Sequence, residues 1–136
     1  MNREMRGEIL KNIAEVLSQF REVVVGYVFG SLLSDEKFED IDVGLLLAEP
    51  LSPHQGMKFA MRVARELERA VKPRYEFDVK LLNLSPIHFQ YQVIKGEAVF
   101  SRDEINRIRY EAGVLSDYLD YRDAADWLDQ EFIVQV

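Results

Sequence analysis

Cysteine is absent from the 136 residues, which excludes disulfides, zinc–thiolate sites and a thiol nucleophile. Histidine is nearly absent: His54 and His88 stand far apart, in a pattern that suits surface or structural roles rather than metal ligation. No apolar run approaches the length needed to span a bilayer. The opening Met1-Asn2-Arg3-Glu4-Met5-Arg6 has no apolar h-region behind it, so no signal peptide is expected and the cytoplasm is the default compartment. There is no Gly-x-x-x-x-Gly-Lys-Ser/Thr loop, so the chain is not a P-loop protein. Repeats, low-complexity segments and flexible linkers are missing too. Positive charge is short, with 17 Lys and Arg against 24 Asp and Glu and a net charge of −7. That argues against a broad, non-specific nucleic-acid surface. It leaves a single bound nucleotide open, because a divalent cation can supply the local positive charge. A basic protein partner would fit the same balance.

What is present is an ordinary globular composition, 48% apolar and 30% charged, long enough to bury a core without covalent staples. One domain spanning 1–136 is expected. Ile9, Leu10, Ile13, Val16 and Leu17 recur at helical spacing within 4–20. Val23 to Phe29 is a β-branched and aromatic run ending at Gly30, and Ile41 to Leu47 is a second such run. Ser52 and Pro53 read as N-cap and first residue of a helix through Phe59, Val63 and Leu67 that Pro73 closes. Met57 and Met61 are expected in the core on that helix. Glu76 to Leu82 is the third strand. Ser85-Pro86 opens a helix that Gly96 ends in the C′ position. Glu97 to Phe100 reads as a short edge strand, and 103–119 returns to helical periodicity through Ile105, Ile108, Ala112, Leu115 and Leu119. The order predicts a small mixed α/β sheet flanked by helices.

The chemistry gathers at three places. Phe29-Gly30-Ser31 ends the first strand. After eight intervening residues comes Asp40-Ile41-Asp42, whose two acids share one face of a strand. Asp78 lies between Phe77 and Val79 in the third. An acid inside an apolar strand is costly unless paired or bound to a cation, and here the anomaly occurs twice. Gly30 permits a sharp turn and close approach to a phosphate. The Ser31 hydroxyl and the backbone N–H groups after it can donate to phosphate oxygens. Asp40, Asp42 and Asp78 on neighbouring strands would supply the carboxylates for two-metal phosphoryl or nucleotidyl transfer. The plainer reading has both strand acids facing solvent at a sheet edge or pairing with Lys80 or an arginine. The final segment, with Tyr118, Leu119, Tyr121, Trp127 and Leu128 among acids, reads equally as a terminal helix packed by its aromatics or as a docking surface for a partner or second copy.

These residues resemble the minimal nucleotidyltransferases of the DNA polymerase β-like superfamily, whose mark is Gly-Ser, a spacer, Asp-x-Asp and a third acid on a later strand. Ile94-Lys95-Gly96-Glu97-Ala98-Val99-Phe100 is similar to the family's helix–glycine–strand ending. The segment from Arg102, including Tyr118-Leu119-Asp120, resembles the helical tail of members that are antitoxins of HEPN-domain toxins. The resemblance spans about 25–120. It implies a polymerase β-like palm core over about 20–100 and a helical C-terminal extension over about 101–136. It also implies that Asp40, Asp42 and Asp78 ligate two Mg2+ ions, with Mn2+ as an alternative, and that Gly30 and Ser31 hold the β- and γ-phosphates of ATP. The implied reaction moves AMP from ATP to a tyrosine hydroxyl of the HEPN toxin, releases pyrophosphate and silences the toxin's RNase site. Many members follow Gly-Ser with a small residue, an arginine and a glycine. Here the positions read Leu32-Leu33-Ser34-Asp35, and Lys37, Lys80 and Lys95 are the cations that could replace the arginine. Two alternatives stand beside this reading: a module that keeps the fold and neutralises its partner by binding alone, and a nucleotidyltransferase acting on a small molecule.

Overall fold

The computed structural model describes residues 3–30 and 40–129. Ser31, the loop Leu32-Leu33-Ser34-Asp35 and Lys37 lie outside the described residues, as do Phe132 and Ile133 at the C-terminal end. The chain runs α1 (Arg3–Ser18), β1 (Val23–Phe29), β2 (Asp40–Leu47), α2 (Pro53–Ala70), β3 (Glu76–Leu81), α3 (Ile87–Ile94), β4 (Glu97–Ser101) and α4 (Glu104–Leu128). The four strands stand in the order β3-β2-β1-β4. β1 pairs antiparallel with β2 and β4, whereas β2 and β3 are parallel. The parallel step follows from the connection: α2 carries the chain back along the sheet before β3 begins. The mixed sheet and its element order are those expected from the apolar pattern.

Alternation in the central strands sends side chains to two cores. Ile41, Val43, Leu45, Phe77 and Val79 pack with Ile9, Ile13 and Leu17 of α1 and with Phe59, Val63 and Leu67 of α2. The opposite face packs Val25, Tyr27 and Leu82 on Val93 of α3. Each aliphatic side chain removed completely from water in this way contributes about 1.5–3 kcal/mol. Ser52 caps α2 as expected, its Oγ accepting from Gln55 N at 3.3 Å. Asp103 caps α4, its Oδ1 accepting from Ile105 N at 3.0 Å and Asn106 N at 3.2 Å.

Two expectations need correction. Met57 and Met61 are not core residues: they are 57% and 56% exposed. They lie along a groove of about 520 Å³ between α2 and β3 that also takes in Leu51, Phe77 and Leu84. α3 does end before Gly96, but not through a left-handed cap, since Gly30 alone among the described residues has a positive φ. A Cβ at Gly96 would run into the carbonyl of Val28, so glycine is required there by the close approach of the chain to β1. The helical periodicity over 103–119 belongs to one helix that runs on to Leu128, within the helical extension expected over about 101–136. Its residues Ile105, Ile108, Leu115 and Leu119 face solvent. No helix among the described residues is long and apolar enough to cross a membrane.

Candidate active site

The sheet places Asp40, Asp42 and Asp78 at one end. β2 opens on Asp40, and β3 runs beside it in register, so Asp42 lies opposite Asp78 and Asp40 opposite Glu76. In-register residues of adjacent parallel strands share a face, about 4.8 Å apart. Asp40, Asp42, Glu76 and Asp78 therefore project from the same side. Gly44, two residues further along β2 on that side, lies under Val93 of α3, so the acids occupy the strand beginnings outward from this cover. Asp42 is half-buried, and Asp40 and Asp78 are exposed.

β3 is an edge strand on which Phe77 and Val79 turn inward while Glu76, Asp78 and Lys80 turn out. Asp78, read from the sequence as an acid inside an apolar strand, thus lies on the solvent side of a strand at the sheet edge. The Lys80 ammonium stands 3.5 Å from Asp78 Oδ1, the pairing the plainer reading anticipates. Its neighbours nonetheless leave the cluster strongly acidic. Partial burial, then the charges of Asp78 and Asp40, push the Asp42 carboxyl above its usual range, and Lys80 only partly offsets them. Among the described residues no three carboxylate or imidazole groups are already drawn together to enclose a metal ion. The donor chemistry still suits a hard divalent cation: oxygen ligands only, on adjacent strands, with an excess of negative charge that raises the proton affinity of the half-buried acid.

Gly30 closes the site from β1. Phe29 pairs with Asp42, and the next residue turns out of the strand with φ of 80°, a conformation that glycine adopts without a Cβ penalty. A Cβ there would collide with Asp42 Oδ2. The glycine is therefore needed twice, for the turn and for the room in which the Asp42 carboxylate sits. Ser31, its expected partner, is outside the described residues. Of the lysines expected to replace the missing arginine, Lys80 borders the acids, whereas Lys95 lies 5.1 Å from the ring centroid of Tyr91 at the end of α3. His54 and His88 are not brought to the acids: His54 opens α2, and the His88 ring lies against Tyr121 at 6.4 Å.

Sequence reasoning missed Glu76, whose place opposite Asp40 becomes visible only once the β2–β3 register is known. It also missed the contacts that hold the scaffold rigid around the site. Asn83 clamps the far end of β2, with Oδ1 accepting from Leu47 N and Nδ2 donating to Leu47 O, both at 2.8 Å. Tyr27 Oη donates to Glu111 Oε2 at 2.8 Å, and Arg107 Nη1 donates to the same oxygen at 2.8 Å. Burial and that carboxylate hold the Tyr27 phenol protonated, well above its ordinary range.

No curated protein sequence matches the chain. Solved structures do. A chain from the complex of a tri-AMPylated Shewanella oneidensis HEPN toxin with an MNT antitoxin superposes with a TM-score of 0.69 at 17% identity, over 94% of this chain and 98% of that one. A chain from a toxin–antitoxin structure with AMP-PNP gives a TM-score of 0.68 at 17% identity, over 91% and 98%. One from the MntA–HepT toxin–antitoxin gives 0.65 at 16%, over 97% and 99%. At such identities the likeness establishes the fold. The family described as Polymerase beta, Nucleotidyltransferase matches residues 11–105, a span that holds β1, Gly30, the two strands and all three aspartates. With its sheet, its acid-bearing strands and that match in agreement, the chain belongs to the polymerase beta nucleotidyltransferase family.

Proposed function

We propose that this protein is a Mg-ATP-dependent adenylyltransferase that moves AMP to a hydroxyl of a protein partner, a tyrosine of a cognate HEPN toxin, and so acts as its antitoxin. The observation that carries the reading is the in-register pair Asp42 and Asp78 beside the left-handed Gly30, within a chain of nucleotidyltransferase family. The likeness to chains from toxin–antitoxin structures, one with a tri-AMPylated toxin and one with AMP-PNP, supports the choice of nucleotide and acceptor.

In this reading Asp40, Asp42 and Asp78 hold the divalent ions, which when bound neutralise triphosphate oxygens and stabilise the entering and leaving oxygens of an in-line displacement. Gly30 offers its backbone to the β- and γ-phosphates from the end of β1, with Ser31 after it. Asp78, exposed at the edge strand, orients the incoming hydroxyl and takes up its proton. The bond from that oxygen to the α-phosphorus forms as the bond to the β-phosphate oxygen breaks, and pyrophosphate leaves. Lys80, 3.5 Å from Asp78, is placed to turn from the carboxylate towards phosphate once cations occupy the acids.

The test is the intact mass of the partner after incubation with this protein and Mg-ATP, wild type beside Asp78→Asn. Added AMP masses with the wild type alone are the expected result. Equal addition by Asp78→Asn would remove the third acid from the mechanism. A stable complex with no added mass would replace transfer with neutralisation by binding.

A further inference from the structure

β3 stands at the edge of the sheet, and its outer side is open. In a parallel ladder the backbone groups of alternate residues point to opposite sides of the strand. Leu82 N donates to Leu45 O of β2 at 2.8 Å, so the even-numbered residues bond to β2, and Phe77, Val79 and Leu81 turn their backbone groups outward. Two of the outward groups are answered from within the chain. Phe77 N donates to Glu68 Oε1 at 3.4 Å, and Leu81 O accepts from Ser85 Oγ at 2.6 Å. Phe77 O, Val79 N, Val79 O and Leu81 N carry no hydrogen bond among the described residues.

That open set is self-complementary. A second β3 laid antiparallel about a two-fold axis at Val79 exchanges both bonds between the two Val79 residues and joins Phe77 O of each copy to Leu81 N of the other. The groups left out of this ladder are the two that Glu68 and Ser85 already hold. Charge agrees with the backbone. In this register Asp78 of each copy lies opposite Lys80 of the other, in the pairs whose side chains approach most closely. Both side chains are exposed. Within one copy the Lys80 ammonium comes to 3.5 Å from Asp78 Oδ1, longer than a charge-assisted hydrogen bond. Moving the axis to Asp78 or Lys80 sets that residue against its own copy, and moving it to Phe77 sets Glu76 against Asp78. The side of β3 towards α2 adds apolar surface. The groove there borders Phe77 and Val79, and Met57, Met61 and Leu84 beside it are 57%, 56% and 79% exposed. Across the axis the two grooves become neighbours, so these side chains leave water together.

We propose that two copies of this chain pair through the outer edges of β3, antiparallel about Val79, and that the pair is a resting form in which Lys80 of each copy answers Asp78 of the other. The pairing follows from backbone and charge. That the pair is a resting form rests on the adenylyltransferase reading, because pairing covers Asp78 and closes the edge from which a protein hydroxyl approaches it.

The test is sedimentation velocity of the whole protein over a range of concentrations, with Lys80→Glu, Asp78→Lys and their equimolar mixture beside wild type. Both positions are exposed, and the fold of each variant is checked by circular dichroism. Wild type is expected to form a dimer. Each variant alone sets like charges against each other at both pairs and associates at least about tenfold more weakly. The mixture restores the dimer, because a Lys80→Glu copy and an Asp78→Lys copy again meet with opposite charges at both pairs. A wild type still monomeric at about 1 mM, a dimer that Lys80→Glu leaves unchanged, or a mixture that associates no more tightly than its parts overturns the proposal. AMP transfer per molecule of wild type should fall as rising concentration carries it into the dimer, and a constant rate overturns the resting form. Pairing that follows the charges, with no transfer at any concentration, upholds the pairing and removes the adenylyltransferase reading alone.

Discussion

Two carboxylates of this molecule, Glu111 and Asp42, are each partly withdrawn from water, and their surroundings are opposite. Glu111 receives the Tyr27 hydroxyl and the Arg107 guanidinium, both at 2.8 Å. Asp42 faces Asp78 across the β2–β3 ladder and Asp40 two residues back, with Lys80 among the described residues partly offsetting them. The first carboxylate is answered by donors and fastens α4 to β1. The second is set among like charges, which destabilises the ionised form. A fold tolerates such an arrangement where a cation completes it, and this contrast, more than the count of acids, distinguishes the candidate site from the scaffold.

The largest effect expected of breaking the contrast is on the Asp42 side. Asp42→Asn should lower AMP transfer by more than about 100-fold, since even partners that only orient metal ligands are worth 10–100-fold. Its metal-free melting temperature should not fall, because a repelled charge has been removed. Single-turnover transfer and a thermal scan check the two halves.

Glu111→Ala should do the reverse. It strips Tyr27 Oη and Arg107 of their acceptor and should cost about 1–3 kcal/mol in denaturant unfolding, while transfer measured well below the melting point is kept. Gly30→Ala sits between the two. It should cost about 1–2 kcal/mol for the left-handed conformation and displace the Asp42 carboxylate as well, weakening Mn2+ binding. An equilibrium denaturation curve and an electron-spin titration of Mn2+ read these separately.

The smallest effect is at the surface. Arg107 and Ser101 hold the Glu104 carboxyl below its usual range. A carboxyl whose pKa is lower in the folded state binds fewer protons there than in the unfolded chain, so its contribution to stability is present above the ordinary glutamate value and is lost as pH falls towards the lowered one. Glu104→Gln should therefore lower stability slightly at neutral pH, leave it unchanged in strong acid and flatten the fall between them, as read by denaturant unfolding at several pH values.

The two regions also differed in how far the sequence disclosed them. Asp42 and Asp78 were legible because strand alternation is local: an acid two residues from another, or between Phe77 and Val79, announces its face without knowledge of the fold. The in-register pairing of those strands, and with it Glu76, was not legible, because it depends on how β3 is laid beside β2. The link from Tyr27 to Glu111 spans 84 residues, and neither residue stands out in its own segment. Periodicity misled in one consistent way. Met57 with Met61, and Ile105 through Leu119, have true helical spacing, but spacing shows that a face is apolar and not whether the same chain covers it. β3, read as an apolar strand holding one costly acid, is an edge, and its outward residues are Glu76, Asp78 and Lys80 because one side of it meets water.

If the acids of β2 and β3 are a cation site, the melting temperatures of wild type and Asp42→Asn should respond differently to Mn2+. Without metal the variant should melt no lower than the wild type. With Mn2+ at about 100 times its dissociation constant the wild type should gain about 2.7 kcal/mol and rise above a variant that scarcely moves. Equal shifts in both proteins, or no shift in the wild type, would mean that these acids do not hold the cation.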